Sequence, residues 1–285
     1  MTLSLAFSPC PNDTFVFHAL THGLVPDAPP FEVTYADVDV TNTAAAEGAG
    51  FDLVKVSYAA LPWLLDRYEL LPCGGALGRG CGPLVLVAGN SEAGNGEARG
   101  GLAGMRVAVP GDRTTAYLLM RLWAAGTGAP ASVDVVPFHE IMPAVAAGRF
   151  DAGLVIHEAR FTYPRYGLRA LVDLGEWWES DTGLPIPLGA ILARRGAVDP
   201  ARAAAWIRES VRLAWRAPDD PGLRAFVLAH AQEMEPDVAD RHIALYVNEF
   251  TADLGDEGYG AAEALLGRAA EAGLTPPLPY PLRIS

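Results

Sequence analysis

Gly153-Leu-Val-Ile-His-Glu-Ala-Arg-Phe-Thr-Tyr-Pro-Arg-Tyr-Gly167 changes character in its middle. Leu154, Val155 and Ile156 form a short apolar run without alternation, the pattern of a parallel strand buried on both faces. The run stops at His157 and gives way to a polar, aromatic loop. In open α/β sheets ligands gather just beyond the carboxyl ends of strands, so the stretch predicts an α/β fold with His157 at a sheet edge. A second segment can be laid beside it. Ala44-Ala-Ala-Glu-Gly-Ala-Gly-Phe-Asp-Leu-Val-Lys-Val-Ser57 and Ala144-Val-Ala-Ala-Gly-Arg-Phe-Asp-Ala-Gly-Leu-Val-Ile-His157 each read as a helix ending at Gly, then Phe-Asp, then a buried strand ending in a polar residue. This short repeat predicts two similar α/β lobes, with Ser57 and His157 closing matching strands and the strand ends facing each other across a cleft.

The totals agree. At 285 residues the chain exceeds what one core usually supports, and 51% hydrophobic with 19% charged residues marks a globular protein. A formal net charge of −13, with 21 scattered Lys and Arg, sets long-range repulsion against nucleic acid and anionic membranes, so neither is an expected partner. No basic segment followed by a long apolar run opens the sequence, and the apolar runs are too short to span a bilayer; the cytoplasm is the expected compartment. Cys10, Cys73 and Cys81 match no zinc or redox spacing and read as reduced thiols.

Outward from the central stretch, residues 3–7 predict a strand running into Ser8-Pro-Cys-Pro-Asn-Asp-Thr14 and a helix over 15–22 closed by Gly23, with Asn12 or Asp13 as its N-cap. Strands follow at 31–35 and 51–57, and helices at 41–48 and 58–68. The five glycines between Gly74 and Gly82 lack the Lys and Ser/Thr of a phosphate loop and read as a tight loop before a strand at 83–88. A Gly- and Glu-rich connector over 89–104 suits a domain boundary. A strand at 105–109 and a helix at 116–125 flank Thr114 and Thr115; one threonine is needed as N-cap, and the second, with the N–H groups of the helix start, is the standard means of holding a carboxylate or phosphate. Residues 133–137, 168–174 and 188–194 read as strands, 139–148 as a helix, and Trp177 and Trp178 as loop. Four helices at 201–215, 221–234, 236–250 and 257–272 complete the chain, with Trp206, Trp215 and Phe226 assigned to the core. The expected lobes are 1–88 with 195–285, and 89–194. His18 and His22 sit i, i+4 on a helix but lack a third ligand, so no metal site is expected there; His139, His230 and His242 carry no visible constellation.

Taken together, Ser8-Pro-Cys-Pro-Asn-Asp-Thr-Phe15, Lys55-Val-Ser-Tyr-Ala-Ala60, Gly74-Gly-Ala-Leu-Gly-Arg-Gly80, Thr114-Thr-Ala-Tyr117, His157-Glu-Ala-Arg-Phe-Thr-Tyr-Pro-Arg-Tyr-Gly167 and Pro187-Leu-Gly-Ala-Ile-Leu-Ala-Arg194 closely resemble the 1,4-dihydroxy-6-naphthoate synthase family of menaquinone biosynthesis by the futalosine route. The resemblance runs to Tyr246-Val-Asn-Glu-Phe250. It implies a two-lobed fold like type II periplasmic binding proteins with a helical C-terminal region. It also implies a carbon–carbon lyase that converts cyclic dehypoxanthine futalosine to 1,4-dihydroxy-6-naphthoate with release of dihydroxyacetone, without metal or organic cofactor. Carried over by position, His157 is the proton acceptor, and Lys55, Val56, Ser57, Thr115 and Ala116 fall on the family's substrate-contacting segments. The residues themselves add Thr114, which with Thr115 and Ala116 opens a helix able to hold the small-molecule substrate's carboxylate, and Asn12 and Thr14 of the first motif are counted among the expected contacts. Glu158 as a helper of His157 is disfavoured by the alternation of strand side chains. Two rivals are a cytoplasmic binding protein for an aromatic or hydroxy-carboxylate, and a sister enzyme resembling chorismate dehydratase. Oligomeric state, monomer or homodimer, is left open.

Overall fold

The computed structural model describes residues 2–48, 50–90, 101–231 and 235–283. Most of the connector, residues 91–100, lies outside them, as do residues 232–234 at the end of the reading of 221–234 as helix. The chain divides into two compact units, Met1–Gly78 with Pro187–Ser285, and Arg79–Ile186. The sequence had placed the crossings at 88/89 and 194/195. The difference comes from pairing, since the strand at 84–88 joins the second unit's sheet and the strand from Ile186 lies along the first unit's.

The first unit opens with β1 (Leu3–Phe7), α1 (Pro11–Thr21), β2 (Phe31–Tyr35), α2 (Val38–Glu47), β3 (Leu53–Ser57), a 3-10 turn (Tyr58–Trp63), β4 (Tyr68–Leu70) and β5 (Ala76–Gly78). The second holds β6 (Leu84–Ala88), β7 (Arg106–Val109), α3 (Thr115–Thr127), β8 (Ser132–Val135), α4 (Phe138–Ala146), β9 (Ala152–Val155), α5 (Ala159–Thr162), β10 (Leu168–Asp173) and α6 (Leu174–Thr182). The chain returns through β11 (Ile186–Arg194) to α7 (Pro200–Arg216), α8 (Pro221–His230), α9 (Pro236–Tyr246), α10 (Glu249–Ala252) and α11 (Gly255–Glu271). Sheet order is β2-β1-β3-β11-β4 in the first unit, with β5 against β11, and β10-β6-β9-β7-β8 in the second.

The sequence repeat survives as topology. In each sheet a parallel trio (β2-β1-β3, and β8-β7-β9) is extended by an antiparallel strand, β11 on β3 and β6 on β9. The Phe-Asp pair does the same task twice. Asp52 accepts the Ser4 N–H at 2.9 Å, and Asp151 accepts the Arg106 N–H at 2.8 Å, each carboxylate tying its strand to the start of the neighbouring one. Register corrects one detail: Leu53 aligns with Ala152, so Ser57 matches Ile156 and His157 stands one residue further on, in the turn after β9.

Other departures have local causes. Pro62 lies inside the segment read as a helix after β3, removes a donor, and leaves a 3-10 turn followed by β4. Trp177 and Trp178 are helical, because the Asp173 carboxylate caps α6 by accepting from Gly175 and Glu176 N–H; Trp178 is buried with its Nε1 donating to Pro185 O at 3.1 Å. The glycine run contains β5, whose approach to β11 needs Gly75, where a Cβ would fall 2.5 Å from Gly189 O. Trp206 belongs to the core, whereas Trp215 on the outer face of α7 is 43% exposed. Between α7 and α1, the buried Ser210 hydroxyl donates to Val16 O at 2.6 Å and accepts from Leu20 N–H. Among the described residues no helix is long and apolar enough to cross a membrane.

Candidate functional site

In the first unit, β3 is an interior strand with all five residues buried. Alternation sends Val54 and Val56 into the core with Tyr58 and Leu61, so Val56 can offer a ligand only its backbone. Lys55 and Ser57 share the other face. The Lys55 ammonium, on a residue 6% exposed, forms an ion pair with Asp13, which is 1% exposed. Gly189 makes room for this arrangement; a Cβ there would sit 2.8 Å from Lys55 Cε. Burial pushes the Asp13 carboxyl above its ordinary value against the pull of Lys55.

The start of α1 supplies Asp13 and differs from expectation. Cys10, not Asn12 or Asp13, occupies the N-cap with extended backbone, because Pro11 with its fixed φ begins the helix one turn early. Asn12 and Asp13 therefore lie in the first turn. Asn12 Nδ2 donates to Asp13 Oδ1 at 2.7 Å, and Asn12 Oδ1 faces His242 Nε2 at 2.9 Å. The Thr14 hydroxyl donates back to Cys10 O and Pro11 O at 3.0 and 3.2 Å, an intrahelical role. Ser57 is clamped by Asn42 of α2: its N–H donates to Asn42 Oδ1 at 2.8 Å, and Asn42 Nδ2 donates to its Oγ at 3.0 Å.

In the second unit, Thr114 is the N-cap of α3; its Oγ accepts from Tyr117 N–H at 3.2 Å and donates to Gly111 O at 2.9 Å. Thr115 and Ala116 form the first helical positions, both buried, and no acidic residue occupies the first turn. The positive end of the helix dipole there favours an anion. This helix follows β7, and His157 follows β9, the parallel neighbour of β7, so both stand at the same edge of the sheet.

His157 has φ +54, a left-handed conformation few residues with a Cβ adopt. Its half-buried imidazole meets Phe138 edge to face, with ring centroids 5.5 Å apart. Glu158 is 1% exposed and lies in the same turn rather than in a strand, so the alternation argument against it does not apply; one of its oxygens is within 4.8 Å of a ring nitrogen of His157. Further along this motif Arg160 is structural, donating to Gly82 O at 2.8 Å and pairing with Asp173 at 2.5 Å. Gly82 permits that packing, since a Cβ there would fall 2.1 Å from Gly175 N.

The structure thus gathers Asn12, Lys55 and Ser57 at one sheet edge of the first unit, and Thr115, Ala116 and His157 at one edge of the second. Sequence reasoning missed Asp13 as partner of Lys55, Asn42, Gly189 and His242. Asp13 stood in a quoted motif; His242 gave no signal, because its partner Asn12 is 230 positions away.

A family profile described as menaquinone biosynthesis matches residues 3–271. The chain is 61% identical over 282 residues to a Streptomyces coelicolor protein named 1,4-dihydroxy-6-naphtoate synthase, covering 97% of this chain and 96% of that one. A Thermus thermophilus protein of the same name is 48% identical over 287 residues, covering 98% of both. Among solved structures, an Archaeoglobus fulgidus protein matches with TM-score 0.85 at 31% identity, covering 96% of this chain and 98% of that one. The alkanesulfonate-binding protein of Xanthomonas axonopodis pv. citri matches with TM-score 0.70 at 18% identity, covering 96% and 94%. The fold is that of periplasmic binding proteins.

Proposed function

The chain belongs to the menaquinone biosynthesis family, and from that premise we propose that it is a carbon–carbon lyase that converts cyclic dehypoxanthine futalosine to 1,4-dihydroxy-6-naphthoate and dihydroxyacetone in the cytoplasm. The observation that carries this reading is the pairing, at adjacent strand ends of one sheet, of a helix N-terminus without acidic residues and an imidazole in a strained turn. The substrate carboxylate binds the N–H groups of Thr115 and Ala116 and the Thr115 hydroxyl. Each charge-assisted hydrogen bond is worth roughly 1.5–3 kcal/mol before desolvation is subtracted. Thr114 holds the helix start in place rather than reaching the ligand.

In this scheme His157 takes a proton from the substrate, the released electron pair opens the spiro ring, and loss of the three-carbon fragment lets the new ring aromatise. A positioned imidazole with a near-neutral pKa contributes typically about 10²–10⁴-fold to such a step. Glu158 orients the ring from the same turn. The test is stoichiometric: purified protein and cyclic dehypoxanthine futalosine should yield naphthoate absorbance and dihydroxyacetone in equal amounts. Binding without either product would favour a solute-binding role.

A further inference from the structure

The clamp on Ser57 fixes more than its position. Ser57 N–H must meet an acceptor, which orients the Asn42 amide with Oδ1 toward that N–H and Nδ2 toward the hydroxyl. A hydroxyl has one proton and two lone pairs; here Asn42 fills a lone pair, and Ser57 Oγ makes no other hydrogen bond among the described residues. The O–H is left to donate. Two residues back on the same face, the Lys55 ammonium is already neutralised by Asp13, so this strand end offers a donor without a surplus cation.

We propose that Asn42 is a positioning residue that commits Ser57 to donate, so that the end of β3 selects an uncharged acceptor oxygen of the substrate, a carbonyl or ether, and rejects a donor there. The assignment rests on the lyase reading above and adds to it which chemical group this strand end recognises. The carboxylate belongs to the start of α3.

Asn42→Asp keeps the acceptor for Ser57 N–H but replaces the donor by a carboxylate that captures the Ser57 proton. Steady-state kinetics near pH 8 should show KM raised about five- to tenfold with kcat little changed, the loss of one uncharged hydrogen bond. Ser57→Ala should give the same defect, and the double variant no more than either single one. As pH falls, the buried carboxylate of the variant protonates and donates to Oγ as the amide did, so its KM should return toward wild type while that of Ser57→Ala does not. An additive double variant, or an Asn42→Asp defect indifferent to pH, overturns the proposal. A defect far larger than that of Ser57→Ala overturns the uncharged class, because it marks repulsion of an anionic substrate oxygen. Should Asn42→Asp fail to fold, Ser57→Cys supplies the reading: a weak donor of similar shape raises KM if the hydroxyl donates, and wild-type KM overturns the proposal. Wild-type turnover is measured first; its absence overturns the lyase reading and this assignment together, whereas a wrong pattern in an active enzyme overturns this assignment alone.

Discussion

Replacing Asp13 by Asn should destabilise the protein far more than the loss of one hydrogen bond. Lys55 is only 6% exposed, so its ammonium stays largely out of water when its counter-ion is removed. A buried ion pair broken on one side typically costs about 3–5 kcal/mol, because the remaining charge is stranded. At roughly 2–4 °C per kcal/mol for a domain of this size, the melting temperature should fall by about 6–20 °C. Replacing both partners, Asp13→Asn with Lys55→Met, removes the stranded charge and should recover most of that loss. Thermal unfolding followed by circular dichroism, with urea titration as a second measure, reads the effect directly. A single variant within about 3 °C of wild type, or a double variant less stable than the single, would refute the argument that this pair is a closed, charge-neutral unit.

Three further outcomes follow from the same geometry. Gly189→Ala places a Cβ 2.8 Å from Lys55 Cε; overpacking of this kind costs about 1–3 kcal/mol, and unchanged urea midpoints would contradict it. His18, half-buried beside His22, has its pKa lowered below 6.5 by burial and then by its neighbour, with Asp220 pulling the other way. The unfolded chain therefore binds the proton more readily, so stability falls as pH drops through the window below 6.5, and His18→Gln should flatten that dependence between pH 7.5 and 5.5. Burial pushes the Cys73 and Cys81 thiols up to about 12, so a thiol reagent at pH 8 should label them roughly a thousandfold more slowly in the native than in the urea-unfolded protein.

The sequence carried the fold where the signal was local. The helix, Phe-Asp, strand repeat foretold two sheets with one topology, and Asp52 and Asp151 turn out to perform the same capping task in each. Local reading failed where one residue overrode a pattern, as with Pro62 after β3, Pro11 at the start of α1, and the Asp173 cap that makes Trp177 and Trp178 helical. Within the candidate site, His157 and the start of α3 were legible because a polar residue at a strand end and paired threonines are visible in a line of text. The Asp13–Lys55 pair, the Asn42 clamp and the His242 contact were not, since each joins side chains of different elements that meet only in the tertiary fold.

The most direct test of the central claim is the conversion of cyclic dehypoxanthine futalosine by wild-type and His157→Ala protein, with substrate binding measured in parallel by calorimetry. The account predicts that the variant binds substrate within a few-fold of wild type and forms naphthoate at least about a hundredfold more slowly, the lower end of what a positioned base contributes. A variant that turns over at a near-normal rate would contradict it, and the proton acceptor would have to be another residue.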